Sequence, residues 1–273
     1  MAHVTVLGAG LVAGPVVRHI LEGSQHTVSV AARSVDRARA LINGHPRGEA
    51  VPFEIEDLAA LEALVARSDV MVSMLPYIHH VTVARLCLKY GRHLVTTSYV
   101  SPAMRALDGE ARDRGVTFLN ELGLDPGIDH MSAMRVIHGV RQAGGRVVSF
   151  RSYCGGLPAP EANNNPFGYK FSWSPRGVVL AARNAAKYLK DGHEVVIPGP
   201  ELFAKPERVE IEGAGVFEGY PNRDSTSYIK VYDLDGVQTM FRGTLRNLGH
   251  CETWKAMGDM GLYDDAPRTF TGG

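Results

Sequence analysis

Short apolar or β-branched runs recur along the first part of the chain and alternate with segments of helical periodicity. The runs have the length of buried strands and occupy residues 3–7, 27–32, 50–55, 69–75, 93–97 and 116–120. Ser or Asp caps, or a Pro in the first turn, open several of the helical segments, which read PVVRHILEG, SVDRARALI, EDLAALEALVARS, HVTVARLCLKY and SPAMRALDGEARDRG. This alternation predicts an α/β domain built on a Rossmann-type, doubly wound parallel sheet.

The alternation ends near residue 126, where loops lengthen and Asn, Pro and Gly become frequent. Strand-like segments follow at 146–153, 208–212 and 228–233, and the clearest helical pattern is SPRGVVLAARNAAKYLK at 174–190. A chain of 273 residues is long enough for two domains. We therefore predict a dinucleotide-binding domain over 1–125 and an α+β domain over 126–273 that binds substrate and pairs into a homodimer.

The charge balance, the apolar stretches and the cysteine spacing indicate which binding partners and which cellular compartment to expect. Lys and Arg total 29 and Asp and Glu total 29, so no net field attracts nucleic acid or an anionic membrane. Charged residues interrupt each apolar stretch before it reaches the length of a membrane span. The three cysteines are far apart and form no CxxC pair, which favours a reducing compartment. We expect a cytoplasmic protein that acts on a small molecule and binds neither nucleic acid nor membrane.

The segment VTVLGAGLVAGP carries a glycine pattern directly after the first strand. Gly8, Gly10 and Gly14 follow the strand at the mouth of a helix. Glycine permits a tight turn and close backbone approach, and the amides at a helix start attract a pyrophosphate. The predicted cofactor contacts here are Gly8, Ala9, Gly10, Leu11 and Val12. The alternative is a glycine-rich turn with a purely structural role.

The residues after the second strand bear on the choice of cofactor. NAD-binding folds commonly place Asp or Glu there, whereas this chain has Arg33 and Ser34. A guanidinium offers a bidentate fork to the extra phosphate of NADP. The pattern therefore predicts NADP rather than NAD, with an exposed arginine that merely ends a strand as the alternative.

Ligands of doubly wound sheets bind at the carboxyl ends of the strands. This rule selects Leu75 to Tyr77 after the fourth strand, Ser98 and Tyr99 after the fifth, and the sequence GLDPG after the sixth. Each has a structural alternative, because a serine can satisfy loop backbone and an aspartate before Pro-Gly commonly starts a turn.

Two features of the second half fit a site for an anionic substrate. Arg223 lies in GYPNRDST, where Pro221 and the neighbouring Asn and Asp suggest a rigid turn that presents a bidentate donor; the alternative is an ion pair with Asp224 or another carboxylate. Cys154 precedes two glycines that permit close backbone approach to a ligand, and Pro158 and Pro160 then stiffen the loop. The thiol is either a pocket residue or a small apolar filler.

Five strings carry a family resemblance: TTSYVSP, NELGLDPGIDH, SYCGGLPAPE, NPFGYKFSWSPRG and GYPNRDST. They closely resemble strings of the glutamate-forming saccharopine dehydrogenases, also called saccharopine reductases, and the resemblance extends from Val4 to about Leu262. It implies an oxidoreductase of lysine metabolism that converts saccharopine, NADP (or NAD) and water into glutamate, α-aminoadipate semialdehyde and reduced cofactor by hydride transfer at a C–N bond.

The resemblance also implies roles for individual residues. Candidate catalytic residues are Asp125, Cys154 and Tyr99. For the thiol we expect a polar contact or weak proton donor and not a covalent nucleophile, because hydride transfer needs no nucleophile. Candidate substrate contacts are Ser98, Tyr99, Arg223, Gly243, Thr244 and Leu245, with Arg242 and Arg246 in reserve. Further candidate cofactor contacts are Arg33, Ser34, Leu75, Pro76, Leu124, Asp125, Pro126 and Ser174.

Histidines at two places suggest no metal site. Asp129 and His130 have no further ligand at suitable spacing, so capping or hydrogen bonding is expected of them. His79 and His80 open a helix, where we expect them to cap it or to face solvent. The proposed hydride chemistry requires no metal.

The chain departs from the family in length, because family members continue well beyond this point. The chain is thus either a compact variant or a truncated product. Two other functions stay open: a reductase of the same fold that forms carboxylated polyamines, and a non-catalytic NADP-binding or dimerisation module.

Overall fold

A computed structural model describes residues 1–264 and 266 of the chain. It divides into two compact units, Met1–His130 and Met131–Gly273. No helix among the described residues combines the length and apolar character needed to span a bilayer.

The first unit is built on a six-stranded parallel sheet. Its strands are β1 (His3–Leu7), β2 (Thr27–Ala32), β3 (Gly48–Pro52), β4 (Val70–Ser73), β5 (His93–Thr96) and β6 (Phe118–Leu119). Its helices are α1 (Ala13–Gly23), α2 (Val35–Ile42), α3 (Leu58–Arg67), α4 (His80–Tyr90), α5 (Pro102–Arg105) and α6 (Asp108–Asp113), and α7 begins at its end (Ile128–Gln142). The order β3-β2-β1-β4-β5-β6 confirms the predicted doubly wound sheet, with its switch point between β1 and β4.

Both faces of this sheet are buried, which explains why its strands are apolar throughout. Val6, Val28 and Val30 pack with side chains of α1 and α2 in one cluster. Leu7 and Met71 pack with side chains of α3 and α4 in a second cluster. The carboxyl ends of the strands are thereby fixed at one edge, where a ligand is expected.

Two predicted elements of the first unit differ in detail. β3 lies at Gly48–Pro52 rather than 50–55, because the polar segment after Phe53 folds into a turn in which the Asp57 amide donates to the Glu54 carbonyl at 3.1 Å. The helix predicted over 101–115 is divided into α5 and α6, and Leu107 between them is buried in the core.

The second unit contains a mixed sheet with β12 at its centre. Its strands are β7 (Ser149–Cys154), β8 (Ala186–Lys190), β9 (His193–Ile197), β10 (Glu207–Ile211), β11 (Gly215–Pro221) and β12 (Thr239–Arg246). β12 pairs with β7 in parallel and with β11 and β8 antiparallel. The remaining helices are α8 (Pro175–Ala181), α9 (Tyr228–Val231) and α10 (His250–Asp259). This mixed arrangement confirms the predicted α+β character.

Three sequence-based assignments in this unit are wrong. The segment 228–233 contains helix α9 instead of a strand, because Tyr228 and Tyr232 are both buried at helical spacing, with ring centroids 5.5 Å apart. The helix predicted over 174–190 ends at Ala181, and its last residues form β8. The strand predicted from 146 begins at Ser149.

Candidate functional site

The glycine-rich segment after β1 has the geometry that its sequence predicts. Gly8 has φ +107°, which favours glycine, and its amide donates to the Ala31 carbonyl at 2.8 Å. A Cβ at this position would lie 3.3 Å from the Met74 carbonyl oxygen. Gly8 is therefore required where the backbone turns between neighbouring strands at the switch point.

The start of α1 leaves its first backbone amides without a side-chain cap. A Cβ built on Gly10 would meet nothing within 4 Å, and Val12 at the N-cap makes no side-chain capping bond. Leu11 and Val12 are exposed, whereas Ala13 is fully buried against the core. An uncapped helix start beside an open glycine fits a pyrophosphate, which accepts hydrogen bonds from the first amides.

Arg33 and Ser34 lie at the carboxyl end of β2, and both are exposed. Among the residues that the structure describes, the Arg33 guanidinium makes no hydrogen bond or ion pair. Ser34 caps α2, its hydroxyl accepting from the Arg37 amide at 3.4 Å. The guanidinium is thus available to an anionic ligand, while the serine already has a structural role.

Tyr99 and Asp125, which are 26 residues apart in sequence, are in direct contact. The Tyr99 hydroxyl donates to Asp125 Oδ1 at 2.6 Å, and both residues are half-buried. The parallel strands β5 and β6 are neighbours in the sheet, so the loops that follow them meet at its carboxyl edge. Two predicted catalytic residues of the first unit are therefore brought together.

Glu121 ties these two loops to each other. Its backbone amide donates to the Ser98 carbonyl at 3.2 Å, and its Oε1 accepts from the Val100 amide at 2.9 Å. Its other oxygen, Oε2, lies 2.8 Å from His130 Nε2. Glu121 was not among the residues predicted from the sequence, although its place two residues after the end of β6 is a signal that the strand-end rule could have used.

The GLDPG segment is closed by its own backbone. The Gly123 amide donates to the Pro126 carbonyl at 2.8 Å, and the Gly127 amide donates to Asp129 Oδ1 at 2.7 Å. Pro126 is buried, whereas Leu124 is exposed. Asp129 thus fixes the loop that presents Asp125, in keeping with the hydrogen-bonding role expected of it. On the loop after β4, Leu75 is half-buried and Pro76 is exposed.

His80 occupies a different environment from the one its sequence position suggests. The expectation that it caps a helix or faces solvent is wrong, because the residue is 4% exposed and its ring bridges two serines. Nδ1 lies 2.9 Å from Ser73 Oγ, and Nε2 lies 2.9 Å from Ser98 Oγ. Burial, with a smaller effect of the nearby His79 charge, lowers the pKa of His80 to about 4, so its imidazole is neutral at neutral pH.

In the second unit, the sheet places several predicted substrate contacts side by side. Thr244 of β12 pairs with Cys154 of β7 on one side and with Tyr220 of β11 on the other. Gly243 lies between Pro221 and Tyr153 in the same register. The candidates Cys154, Gly243 and Thr244 therefore share one region of this sheet.

The glycines after Cys154 act differently from one another. A Cβ on Gly155 would lie 2.6 Å from the Leu245 carbonyl oxygen, so this glycine is required for close approach to β12 and not to a ligand. Gly156 has space, because a Cβ there would lie 4.0 Å from its nearest neighbour, the Ser172 hydroxyl. The interpretation that both glycines admit a ligand is thus corrected for Gly155.

Arg223 lies just beyond β11 in a left-handed backbone conformation, with φ +50°. Its carbonyl accepts from the Lys187 amide at 2.8 Å, and its side chain is exposed. The neighbouring Asp224 forms an ion pair with Lys187, with Nζ and Oδ2 3.1 Å apart. The turn that presents the Arg223 side chain is therefore held to β8 through its backbone and through Asp224.

A small cavity of about 40 Å³ lies near the end of β12. Its walls include Arg246 and His250 together with aromatic side chains, namely Trp173, Phe203, Tyr220 and Trp254. The Arg246 guanidinium lies 4.8 Å from the centre of the Tyr169 ring, and its NH1 donates to the Leu245 carbonyl at 2.8 Å. Within the described residues, Arg246 Nε and His250 Nδ1 have no hydrogen-bond partner.

Two other candidates of this unit have structural roles. The Ser174 hydroxyl caps α8 by accepting from the Gly177 amide at 3.1 Å. Arg242 is buried, and its guanidinium lies 4.4 Å from the centre of the Tyr228 ring. Of the two additional arginine candidates for substrate contact, Arg246 is therefore the one that borders the cavity.

His250 makes the second unit sensitive to acid. Burial, with a smaller effect of the Arg246 charge, lowers its pKa from 6.5 to about 3. Between about pH 3 and pH 6.5 the unfolded chain binds a proton that the folded chain does not, so stability is complete above pH 6.5 and falls as the pH is lowered. At pH 4, the free energy of unfolding of the wild type should be lower than at neutral pH by a term from His250 on the order of 3 kcal/mol, and we expect this term to be absent in His250→Gln.

Urea unfolding followed by tryptophan fluorescence measures this effect, because Trp173 and Trp254 both belong to the second unit. The exposed His193→Gln is the matched control and should leave the pH dependence unchanged. Equal slopes of unfolding free energy against pH in the wild type and His250→Gln would contradict the assignment.

Among the residues described, no group of three or more His, Cys, Asp or Glu side chains is arranged to hold a metal ion.

Two family models match the chain in succession. Residues 4–119 match the saccharopine dehydrogenase NADP binding domain. Residues 123–272 match the saccharopine dehydrogenase C-terminal domain. Together they cover both structural units.

Individual proteins match over nearly the whole chain. The NADP(+), L-glutamate-forming saccharopine dehydrogenase of Schizosaccharomyces pombe is 43% identical over 99% of this chain and 60% of its own length. The enzyme of the same name from Saccharomyces cerevisiae is 45% identical over 98% of this chain and 60% of its own. The mitochondrial alpha-aminoadipic semialdehyde synthase of Rattus norvegicus is 38% identical over 96% of this chain and 28% of its own.

A solved structure agrees with these matches. The apo histidine-tagged saccharopine dehydrogenase (L-Glu forming) from Saccharomyces cerevisiae superimposes with a TM-score of 0.85 at 43% identity, over 98% of this chain and 60% of that one. The chain thus spans about 60% of the length of these dehydrogenases. By both its domain matches and its fold, the chain belongs to the saccharopine dehydrogenase family.

Proposed function

We propose that this chain is an NADP-dependent, L-glutamate-forming saccharopine dehydrogenase. In the proposed reaction, saccharopine, NADP and water give glutamate, α-aminoadipate semialdehyde, reduced NADP and a proton. A hydride leaves the carbon that becomes the aldehyde, and water then adds to the resulting C=N bond. The bond between that carbon and the nitrogen breaks, and the nitrogen departs as the amino group of glutamate.

The first unit has features suited to NADP. The backbone from Gly8 to Val12 is suited to donate hydrogen bonds to the pyrophosphate, because Gly10 is open and α1 has no side-chain cap. Arg33 is suited to the phosphate that distinguishes NADP from NAD. When bound, NADP supplies the hydride acceptor.

Tyr99 and Asp125 are the proposed proton-handling pair. Addition of water to the C=N carbon releases a proton, and cleavage of the C–N bond requires protonation of the nitrogen. The Tyr99 hydroxyl holds a proton 2.6 Å from the Asp125 carboxylate, so the pair has both a donor and an acceptor within one hydrogen bond. The loops that carry the pair are fixed by Glu121, which limits the movement needed to use it.

The second unit supplies proposed contacts to the carboxylates of saccharopine. Arg223 presents a guanidinium from a turn whose backbone is held by Lys187. Arg246 borders a cavity with a buried Nε that has no hydrogen-bond partner among the described residues. Guanidinium groups bind carboxylates through paired hydrogen bonds, so either arginine suits this role.

The observation that carries the proposal is the 2.6 Å hydrogen bond between Tyr99 and Asp125 at the carboxyl ends of neighbouring strands. The direct experiment measures reduced cofactor after the purified chain receives saccharopine, with NADP and NAD in parallel. Reduction with saccharopine and NADP supports the proposal. Reduction with a carboxylated polyamine but not with saccharopine would reassign the substrate, and NADP binding without turnover would support a non-catalytic module.

Cys154 is proposed to make a polar contact and not a covalent bond. We expect Cys154→Ser to retain saccharopine turnover within about threefold, because a hydroxyl replaces the thiol as a hydrogen-bond partner. Cys154→Ala should lower kcat/KM by about fivefold to tenfold through loss of one hydrogen bond. Steady-state kinetics measure both. A loss of more than about a thousandfold in Cys154→Ser would point instead to a nucleophilic thiol.

The same proposal places the enzyme in the cytoplasm as a homodimer. No disulfide joins any of the three cysteines within the part of the chain described, which supports a reducing compartment. Sedimentation equilibrium tests the homodimer by the mass of the particle.

A further inference from the structure

A chain of two hydrogen bonds leads from the core of the first unit to Ser98. Ser73, at the end of β4, is completely buried, and its Oγ lies 2.9 Å from His80 Nδ1. His80 Nε2 lies 2.9 Å from Ser98 Oγ, in the loop that also carries Tyr99. His80 is thus in contact with a proposed substrate-binding residue but is itself shielded from solvent.

The burial of Ser73 determines which ring nitrogen carries the proton. Its hydroxyl has no other hydrogen-bond partner among the described residues, and a buried hydroxyl hydrogen without an acceptor is costly. Ser73 therefore donates to Nδ1. In a neutral imidazole only one nitrogen carries hydrogen, so Nε2 is protonated and donates to Ser98.

This assignment determines whether the Ser98 hydroxyl donates or accepts in its hydrogen bond with His80. Its Oγ accepts from His80, so its own hydrogen must point elsewhere. Ser98 Oγ has no second partner among the residues the structure describes, and the residue is only half-buried. The hydroxyl is therefore directed to donate to a ligand, and it suits a carboxylate oxygen better than an N–H group.

We propose that His80 is a positioning residue that makes Ser98 a hydrogen-bond donor to a carboxylate of the substrate. The inference rests on the proposed function, because the substrate it names is saccharopine. His80 does not conduct protons to solvent, since the chain of hydrogen bonds ends at Ser73 inside the core. It also stays neutral near pH 7, so the arrangement holds at physiological pH.

The first test reads the imidazole directly. Two-bond ¹H–¹⁵N correlation spectra distinguish the two neutral tautomers, and His80→Gln identifies the signal by its loss. We expect the Nε2–H form at pH 7. The Nδ1–H form would overturn the proposal, whether or not the chain turns over saccharopine.

The second test pairs two substitutions at one position. His80→Gln retains an N–H group near the position of Nε2, whereas His80→Leu has a similar length and no donor. We expect His80→Leu to raise KM for saccharopine about tenfold and His80→Gln to raise it no more than about threefold. The Kd for NADP should change in neither, which separates loss of positioning from general disruption of the unit.

A double-mutant cycle completes the test. Ser98→Ala alone should raise KM for saccharopine about tenfold, and adding His80→Leu should raise it little further, because His80 acts through Ser98. Additive effects would overturn the proposal.

If His80→Leu fails to fold, Ser73→Ala replaces it, because this change removes the donor that fixes the tautomer of His80. If the wild type turns over saccharopine and the effects of the two substitutions are additive, the role of His80 is wrong but the proposed function stands. If the wild type does not turn over saccharopine, the proposed function itself is wrong.

Discussion

Replacing Gly127 with alanine will destabilise the first unit by about 3 kcal/mol or more and weaken NADP binding. A Cβ at this position would lie 2.0 Å from the Gly123 carbonyl oxygen and 2.5 Å from its nitrogen, and the residue has φ +150°. The backbone atoms cannot move without breaking the hydrogen bonds that close the GLDPG segment. The loop that presents Asp125 must therefore change shape.

Gly109→Ala is the matched control in the same unit. Gly109 lies in α6, and a Cβ there would meet nothing within 4 Å. Alanine favours helix over glycine, so this variant should be neutral or more stable by up to about 1 kcal/mol. Hydrogen exchange on peptides of the first unit measures the free energies, and titration with NADP measures the affinity. Equal behaviour of the two variants would show that the GLDPG backbone tolerates a side chain.

Replacing Arg33 with aspartate will reverse the preference between the two cofactors. We expect the Kd for NADP to rise about a hundredfold, through loss of a charge-assisted hydrogen bond and new repulsion of the phosphate. NAD lacks that phosphate, and the new carboxylate can bind the ribose hydroxyls, so its Kd should stay level or fall. Isothermal titration with each cofactor measures the ratio.

Arg105→Asp controls for net charge, because it makes the same change at another exposed position of the first unit. It should lower the affinity for either cofactor by less than about threefold. Survival of NADP affinity in Arg33→Asp, or an equal loss for NAD, would assign the phosphate contact to another residue.

The strand-end rule accounts for most of what the sequence predicted about the first unit. Alternating apolar runs and helical periods were sufficient for the doubly wound sheet, because burial on both faces demands apolar strands. Parallel neighbours then carry their following loops to one edge, which is why Tyr99 and Asp125 were selected together and are in contact.

Other features depended on tertiary contacts that no local pattern reports. His80 has the sequence context of a helix start, and only the packing of β4 and β5 around it shows that it bridges two serines. The close approach of Gly155 to Leu245 likewise depends on the pairing of β7 with β12. These strands are 85 or more residues apart in sequence, so the residues around Gly155 could not show that β12 requires a glycine there.

Some errors came from local signals that were available. Asp191 and Gly192 both have positive φ, at 49° and 81°, and join β8 to β9 as a two-residue hairpin turn. Asp-Gly between apolar segments is a strong hairpin signal, and it indicates that the residues up to 190 form a strand instead of the end of a helix. In 228–233, the spacing of Tyr228 and Tyr232 is that of a helix, whereas the apolar content alone suggested a strand.

Transfer of deuterium from substrate to cofactor is the most direct measurement of the proposed activity. Saccharopine carrying deuterium in place of both hydrogens on the carbon that becomes the aldehyde is incubated with the purified chain and NADP. The reduced cofactor is then analysed by mass spectrometry. We predict one deuterium per reduced cofactor, together with stoichiometric glutamate. NADP that binds and stays oxidised, or reduced cofactor without deuterium, would contradict hydride transfer by this chain.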